Sequence, residues 1–279
     1  MLARQRQALI LARVREQGGV KVADLVRDLG VSDMTVRRDL EVLHDRGLLE
    51  KVHGGATALA AGALFEPGFK AKSALQQAEK EAIAEAAAAR VEPGSAVALS
   101  AGTTTYALAR RLTEVPRLTI VTNSVPVTDV LYQAGRTDHT IILTGGVRTP
   151  SDALVGPFAV AALRGIHVDI VFMGVHGMDP RSGFTTPNLL EAEANRALID
   201  TGRRLVVLAD HTKWGVVGIS SIARLDEADV LITDAGLPVE AHAVLEASIR
   251  EIVVAGSTGP AAEVGAAAAS DRVPVGAGA

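Results

Sequence analysis

Seven short runs rich in apolar and β-branched residues recur between residues 96 and 255, with helical stretches between them. They are 96–100 (AVALS), 118–122 (LTIVT), 139–144 (HTIILT), 169–174 (DIVFMG), 204–209 (RLVVLA), 229–233 (DVLIT) and 251–255 (EIVVA). Most are continuous rather than alternating, the pattern of strands covered on both faces. Strands joined through helices make crossover connections, and those connections produce a mainly parallel sheet. The expected class for residues 73–256 is therefore α/β. In such sheets ligands sit outside the carboxyl ends of the strands, so the residues after each run are where chemistry is sought.

The first 57 residues follow a different period. Ile10 and Val14 form one apolar stripe on a helix from Arg4 to Gln17, ended by Gly18-Gly19. Val20 to Val22 can pair as a short strand. Ala23 to Leu29 predicts a second helix, stopped by Gly30. Ser32 is placed to cap a third helix reaching about Arg46, and Asp33 suits its positive end. Residues 48–53, Gly54-Gly55 and 56–59 read as strand, turn, strand. This order is the layout of a winged helix-turn-helix. At about 100° per residue, Val36, Leu40 and Leu43 share the inner face of the third helix. Met34 and Arg38 point the opposite way, flanked by Thr35 and Arg37. Arginine suits guanine edges or phosphates; threonine and methionine suit phosphates or the thymine methyl. Arg4, Arg6 and Lys51 are placed to add phosphate contacts that fix register. The plainer alternative is that Arg37 and Arg38 solvate a surface helix, paired with Asp33, Asp39 or Glu41.

Composition narrows the classes. No cysteine occurs among the 279 residues, which removes disulfides, thiol catalysis and cysteine-held zinc. One Trp, two Tyr and five Phe are too few for a base-stacking single-strand binder. The longest uncharged run, Pro93 to Ala109, is 17 residues with three threonines, too short and polar to span a membrane. The N-terminus has no long apolar core of the signal-peptide kind, so a cytoplasmic protein without a membrane partner is expected. Residues 1–57 carry a net charge of +2 and the remainder −6, a mildly basic head on an acidic body.

Residues 58–72 read as a linker, and 257–279, rich in Ala and Gly, as a disordered tail. Ser73 to Gln76 has the S-x-x-Q spacing of a capping box opening a helix to about Arg90. Small polar residues follow the strand runs. Ala101, Gly102, Thr103, Thr104 and Thr105 come after the first, before a helix expected at Tyr106–Leu112. Thr122, Asn123 and Ser124 close the second, and Gly145-Gly146 follow the third. Gly174 to Gly177 follow the fourth, and Asp210 to Lys213 the fifth. Glycine admits a ligand close to the backbone, and free amides at a helix start donate to anions. Lys213 supplies positive charge; Asp210, Asn123 and Ser124 suit hydroxyls; Glu191 faces the same cleft. His176 and His211 are expected to be structural rather than metal ligands. Together these residues point to a phosphorylated, hydroxyl-rich ligand and to no metal or other cofactor.

VSDMTVRRDLEVLHDRGLLEKVHGGA (31–56) carries S-x-x-T-x-R-R-D-L and H-G-G-A at a set separation. With it the N-terminal region resembles the DNA-binding domain of the DeoR family of bacterial transcriptional regulators. Lys51 stands where arginine is more usual. The resemblance continues over about 65–235 through EKEAIA (79–84), AGTTT (101–105), VTNS (121–124), LTGG (143–146), the 174–179 segment and ADHTKWG (209–215). It implies a sensor domain similar in fold to ribose-5-phosphate isomerase and the CoA transferases, with a phosphosugar as effector. Ser100 and Lys72 depart from the commoner acid and arginine. The resemblance implies recognition helix 32–46 followed by the wing, with Ser32, Met34, Thr35, Arg37, Arg38, Lys51, His53 and Arg6 toward DNA. Repression of a sugar-metabolism operon by a homodimer or homotetramer is expected, with activation an open alternative. The rival reading is a sugar-phosphate isomerase with a fused head, using Asp210, Glu191 and Lys213 as acid, base and shuttle.

Overall fold

A computed structural model describes residues 3–45, 49–52, 54–57, 68–73 and 75–256. His53, residues 58–67 of the expected linker and the 257–279 tail lie outside them, as does the side chain of Arg4.

The head contains α1 (Ala3–Gln17), β1 (Gly19–Lys21), α2 (Val22–Leu29), α3 (Asp33–Asp45), β2 (Glu50–Val52) and β3 (Gly55–Thr57). Ile10, Val14, Leu25, Val36, Leu40, Leu43 and Leu49 are buried together in its core. Each such Val, Leu or Ile contributes about 1.5–3 kcal/mol relative to exposure. Gly30 takes φ +63° and donates its N–H to Val26 O, closing α2. The chain then turns to Ser32, whose Oγ accepts from Thr35 N at 3.2 Å and caps α3. The wing strands form an antiparallel sheet in the order β1-β3-β2.

The body opens with α4 (Phe69–Ser73) and α5 (Gln77–Ala88), followed by β4 (Ala96–Leu99), α6 (Thr103–Leu112), β5 (Thr119–Thr122), α7 (Val125–Gln133) and β6 (Thr140–Leu143). A two-stranded piece, β7 (Val147–Arg148) and β8 (Leu154–Val155), leads to α8 (Pro157–Leu163) and β9 (Ile170–Gly174). Then come β10 (Gly177–Asp179), β11 (Gly183–Thr186), α9 (Leu189–Ile199), β12 (Leu205–Leu208), β13 (Ser220–Ala223), β14 (Val230–Asp234), α10 (Val239–Glu246) and β15 (Glu251–Ala255).

All seven apolar runs become strands of one parallel sheet, ordered β15-β14-β12-β9-β4-β5-β6. Side chains alternate between its faces. Val97, Leu99 and Phe172 pack with α5, α6 and α7 on one side, and Ala98, Val171 and Met173 face α9 and α10 on the other. β6 is an edge strand and stays largely exposed despite its apolar sequence. The chain runs outward from β4 through β5 to β6, then returns to the other side of β4 as β9. The topological switch point therefore lies between β4 and β9.

Four details differ from the sequence reading. The S-x-x-Q capping box does not form: Ser73 ends α4 and donates its Oγ to Phe69 O, four residues back. α5 starts from Gln76 in the left-handed region with no side-chain cap. The last four residues of the expected linker are helical, and Phe69 sets its ring edge-on to Tyr106 at 5.5 Å. α6 begins at Thr103 rather than Tyr106, so the threonines form its first turn. The antiparallel sheet β10-β11-β13 and the β7-β8 pair had no counterpart in the sequence reading, because strands of two to four residues leave little periodicity.

Candidate functional site

Two surfaces hold the sequence candidates. On the head, a groove of about 440 Å³ between α1 and α3 is lined by Arg6, Ser32, Met34, Thr35, Arg38 and Asp39 among others. Met34 is 80% exposed, an unusual place for a thioether without a partner. Arg38 has no hydrogen-bond or ion partner among the described residues. Arg37 does: its Nε donates to Asp33 Oδ1 at 2.5 Å, one helical turn back. The two arginines therefore differ, one free to reach outward and one held along its own helix.

Arg6 is not a free phosphate ligand. Its guanidinium is bound to buried Asp39, which also accepts from Gln7 Nε2 at 3.0 Å, so the trio fastens α1 to α3. Lys51, on the wing, donates to Glu41 at 3.2 Å and remains exposed.

In the body, a cavity of about 410 Å³ opens at the carboxyl ends of β4, β9 and β12, at the switch point. It gathers Gly102, Thr103, Thr104, Glu191, Asp210 and Lys213 from the sequence candidates. α6 starts here from Gly102 with no side-chain cap, so its first amides face the cavity mouth. Asp210 is 1% exposed. Its Oδ1 accepts from Thr212 N at 3.0 Å, while its Oδ2 is buried without a hydrogen-bond partner. Leaving such an oxygen bare costs free energy unless a ligand group fills it.

The other candidates hold the loops instead. Thr122 Oγ1 donates to Leu99 O, Asn123 Oδ1 accepts from Ala101 N, and Ser124 caps α7. Thr105 Oγ1 turns back to Gly102 O. Gly145 and Gly146 lie between β6 and β7, away from the cavity lining. Ser100 is buried and accepts from Gly174 N at 2.9 Å, tying the ends of β4 and β9 together.

The cavity also holds residues that reading along strand ends passed over, Lys72, Lys80, Ser151 and Asn195, and His176 of the β9 loop, which the sequence reading took as structural. Lys80 is buried, and its Nζ donates to Lys72 O at 2.6 Å and Leu75 O at 2.5 Å. Lys72 Nζ donates to Ser151 Oγ at 2.6 Å. Burial first, and the charges of Lys213 and Lys72 with it, lower the Lys80 amine to about 8 against the pull of Asp210 and Glu79. Glu191 accepts from Thr149 Oγ1 at 2.5 Å. The lining thus mixes ammonium groups with acidic oxygens, Lys213 standing beside Asp210. No group of three His, Asp or Glu that could hold a metal occurs among the described residues, and no described helix is long and apolar enough to cross a membrane.

Comparison with known proteins adds to this geometry. The model of the DeoR-like helix-turn-helix domain matches residues 6–61, and that of the DeoR C terminal sensor domain matches 75–235. The chain is 37% identical over 256 residues to the HTH-type transcriptional regulator YgbI of Escherichia coli (strain K12), covering 91% of this chain and 99% of that one. It is 32% identical over 242 residues to the glycerol-3-phosphate regulon repressor of the same strain, covering 86% and 94%. Among solved structures, a D-ribose-5-phosphate isomerase in complex with phospho-erythronic acid overlays 50% of this chain and 54% of its own, with TM-score 0.38 and 15% identity.

Proposed function

Because this chain belongs to the DeoR family of transcriptional regulators, we propose that it is a repressor of a sugar-metabolism operon whose hold on duplex DNA is set by a phosphorylated sugar in the body cavity. The family is one of regulators, which sets aside the isomerase reading. A relative named as the glycerol-3-phosphate regulon repressor supports the repressor role.

The observation that carries the ligand assignment is the buried Asp210 Oδ2, which has no hydrogen-bond partner, in a cavity that also holds Lys72, Lys80, Lys213 and the uncapped start of α6. Ammonium groups and helix-start amides suit a phosphate. A buried carboxylate oxygen suits a sugar hydroxyl, which can donate to it. Effector and operator are then linked: a ligand that favours the low-affinity state weakens DNA binding by the factor that DNA weakens the ligand. One head offers a limited interface, so two heads of a homodimer or homotetramer on repeated half-sites fit the affinity such a regulator needs.

The test is titration of the full chain onto its own upstream DNA, with glycerol 3-phosphate, ribose 5-phosphate or fructose 6-phosphate present, against the same sugars without phosphate. The proposal expects the operator to be released by a phosphorylated compound alone. Release by the unphosphorylated sugars to the same extent, or sequence-blind DNA binding, contradicts it.

A further inference from the structure

Asp234 ends β14, beside the point where the chain leaves β12 toward Asp210. It is 6% exposed and accepts three N–H groups: His211 N at 2.7 Å, His211 Nδ1 at 2.7 Å and Gly236 N at 2.9 Å. Burial pushes this carboxyl up, but the amides of His211 and Gly236 and the imidazole outweigh it, leaving it below the usual carboxylate range. Asp234 is thus the ionised acceptor and His211 Nδ1–H the donor. Gly236 packs against the Nδ1 edge of the ring, beside Asp234. A Cβ there would lie 2.6 Å from Nδ1 and 2.7 Å from Cγ of His211, so no side chain fits without moving the imidazole.

Neither His211 nor Asp234 lines the cavity, yet Asp210, Thr212 and Lys213 do. His211 opens the three-residue 3-10 turn that carries them. Lys213 Nζ stands 4.0 Å from Asp210 Oδ2, too far for a hydrogen bond. A carboxylate and an ammonium on one short turn gain by closing into a direct pair, which would fill the site from within. The Asp210 carboxylate is held on its other oxygen by the N–H and hydroxyl of Thr212, and where Lys213 stands is set by the backbone of the turn, which is pinned at its first residue.

We infer that the His211–Asp234 pair, seated on Gly236, is a positioning device that keeps Asp210 and Lys213 open toward the effector. This rests on the phosphosugar reading of the cavity and deepens it. The groups that meet the ligand are organised before it arrives, so binding spends little on ordering them.

Trp214 follows the turn directly, donates its N–H to His211 O at 3.3 Å, and is the only tryptophan in the chain, so its emission reports the turn. The experiment uses the full-length protein and its variants His211→Ala, His211→Asn, Gly236→Ala and Asp210→Asn. Affinity is measured for glycerol 3-phosphate, ribose 5-phosphate and fructose 6-phosphate, and Trp214 emission without ligand. His211→Ala is expected to lose about 10- to 100-fold in affinity, the worth of a hydrogen bond to a charged group. Its emission shifts. Asparagine at 211 places an amide N–H near the old Nδ1 and restores both affinity and emission. Gly236→Ala, which displaces the ring without removing it, moves both in the direction of His211→Ala and remains readable if that variant does not fold. Unchanged affinity and emission in His211→Ala, or failure of the folded His211→Asn to rescue, overturns the inference. If Asp210→Asn binds as the wild type does, the reading of the cavity itself falls. If Asp210→Asn loses binding while His211→Ala keeps it, only the positioning role falls.

Discussion

On α3 the side chains assigned to function stand out into solvent, Met34 and Arg38 foremost, within a single run of thirteen residues. Around the cavity the corresponding groups are buried: Asp210, Lys80 and Glu191 come from separate segments and meet only because β4, β9 and β12 end side by side. The head presents a rigid face to a large, wet partner, and phosphate and base edges find it from outside. On the proposed reading the body encloses a small partner, and its polar groups are already desolvated and held by a second set of residues. The first design depends on helix periodicity and the second on topology.

The largest expected effect breaks the two regions apart. Leu40 is buried in the head core, and Leu40→Ala should cost about 2–5 kcal/mol. A head this small has a stability of the same order, roughly 0.05–0.15 kcal/mol per residue. Calorimetry is expected to show a lost or strongly lowered head transition with the body transition unmoved, and operator binding abolished while phosphosugar binding persists. A single transition that shifts as a whole would show the regions are not separate.

Next comes Arg38→Ala. A good base contact is worth about 1–3 kcal/mol, so operator affinity should fall roughly 5- to 150-fold, with relaxed discrimination at one base position. Binding to operators mutated base by base checks this. An equal loss on every sequence would make Arg38 a phosphate contact instead.

A smaller effect sharpens the account of the cavity. Lys80 titrates near 8 and holds an anion only when protonated. Phosphosugar affinity should therefore be steady from pH 7 to about 8 and fall above it, approaching tenfold per pH unit for one linked proton. Phosphate's own second ionisation, near pH 6, lies outside that window. Calorimetric titration at several pH values measures it, and Lys80→Gln is expected to flatten the profile.

Arg37→Ala should do least. Its guanidinium already satisfies Asp33 in an exposed pair, of the kind worth about 0.2–1 kcal/mol. A loss in operator affinity equal to that of Arg38→Ala would erase the distinction between the two arginines.

How much was legible follows the same divide. The inner face Val36, Leu40 and Leu43 and the seven strands are direct products of periodicity, and both are where the pattern put them. The loop residues were harder. Asn123, Ser124 and Thr122 look like ligand groups in the sequence, but backbone amides and carbonyls at strand and helix ends bind them first. Lys80 was missed because it precedes the first strand of the sheet rather than following one. A signal was present: Lys80, Ile83, Ala84 and Ala87 share one buried stripe of α5, and a lysine on an apolar stripe is rarely placed there for packing alone. Asp234 follows the apolar run DVLIT directly, and its role depends on a neighbouring strand that sequence order does not place beside it.

The central claim is that filling the cavity loosens the head. Its most direct test measures four affinities on the full-length protein: operator with and without a saturating phosphosugar, and phosphosugar with and without operator. The account predicts that both ratios equal one common factor of about 5–150. A phosphosugar that binds through Asp210 and Lys213 yet leaves operator affinity unchanged would contradict it.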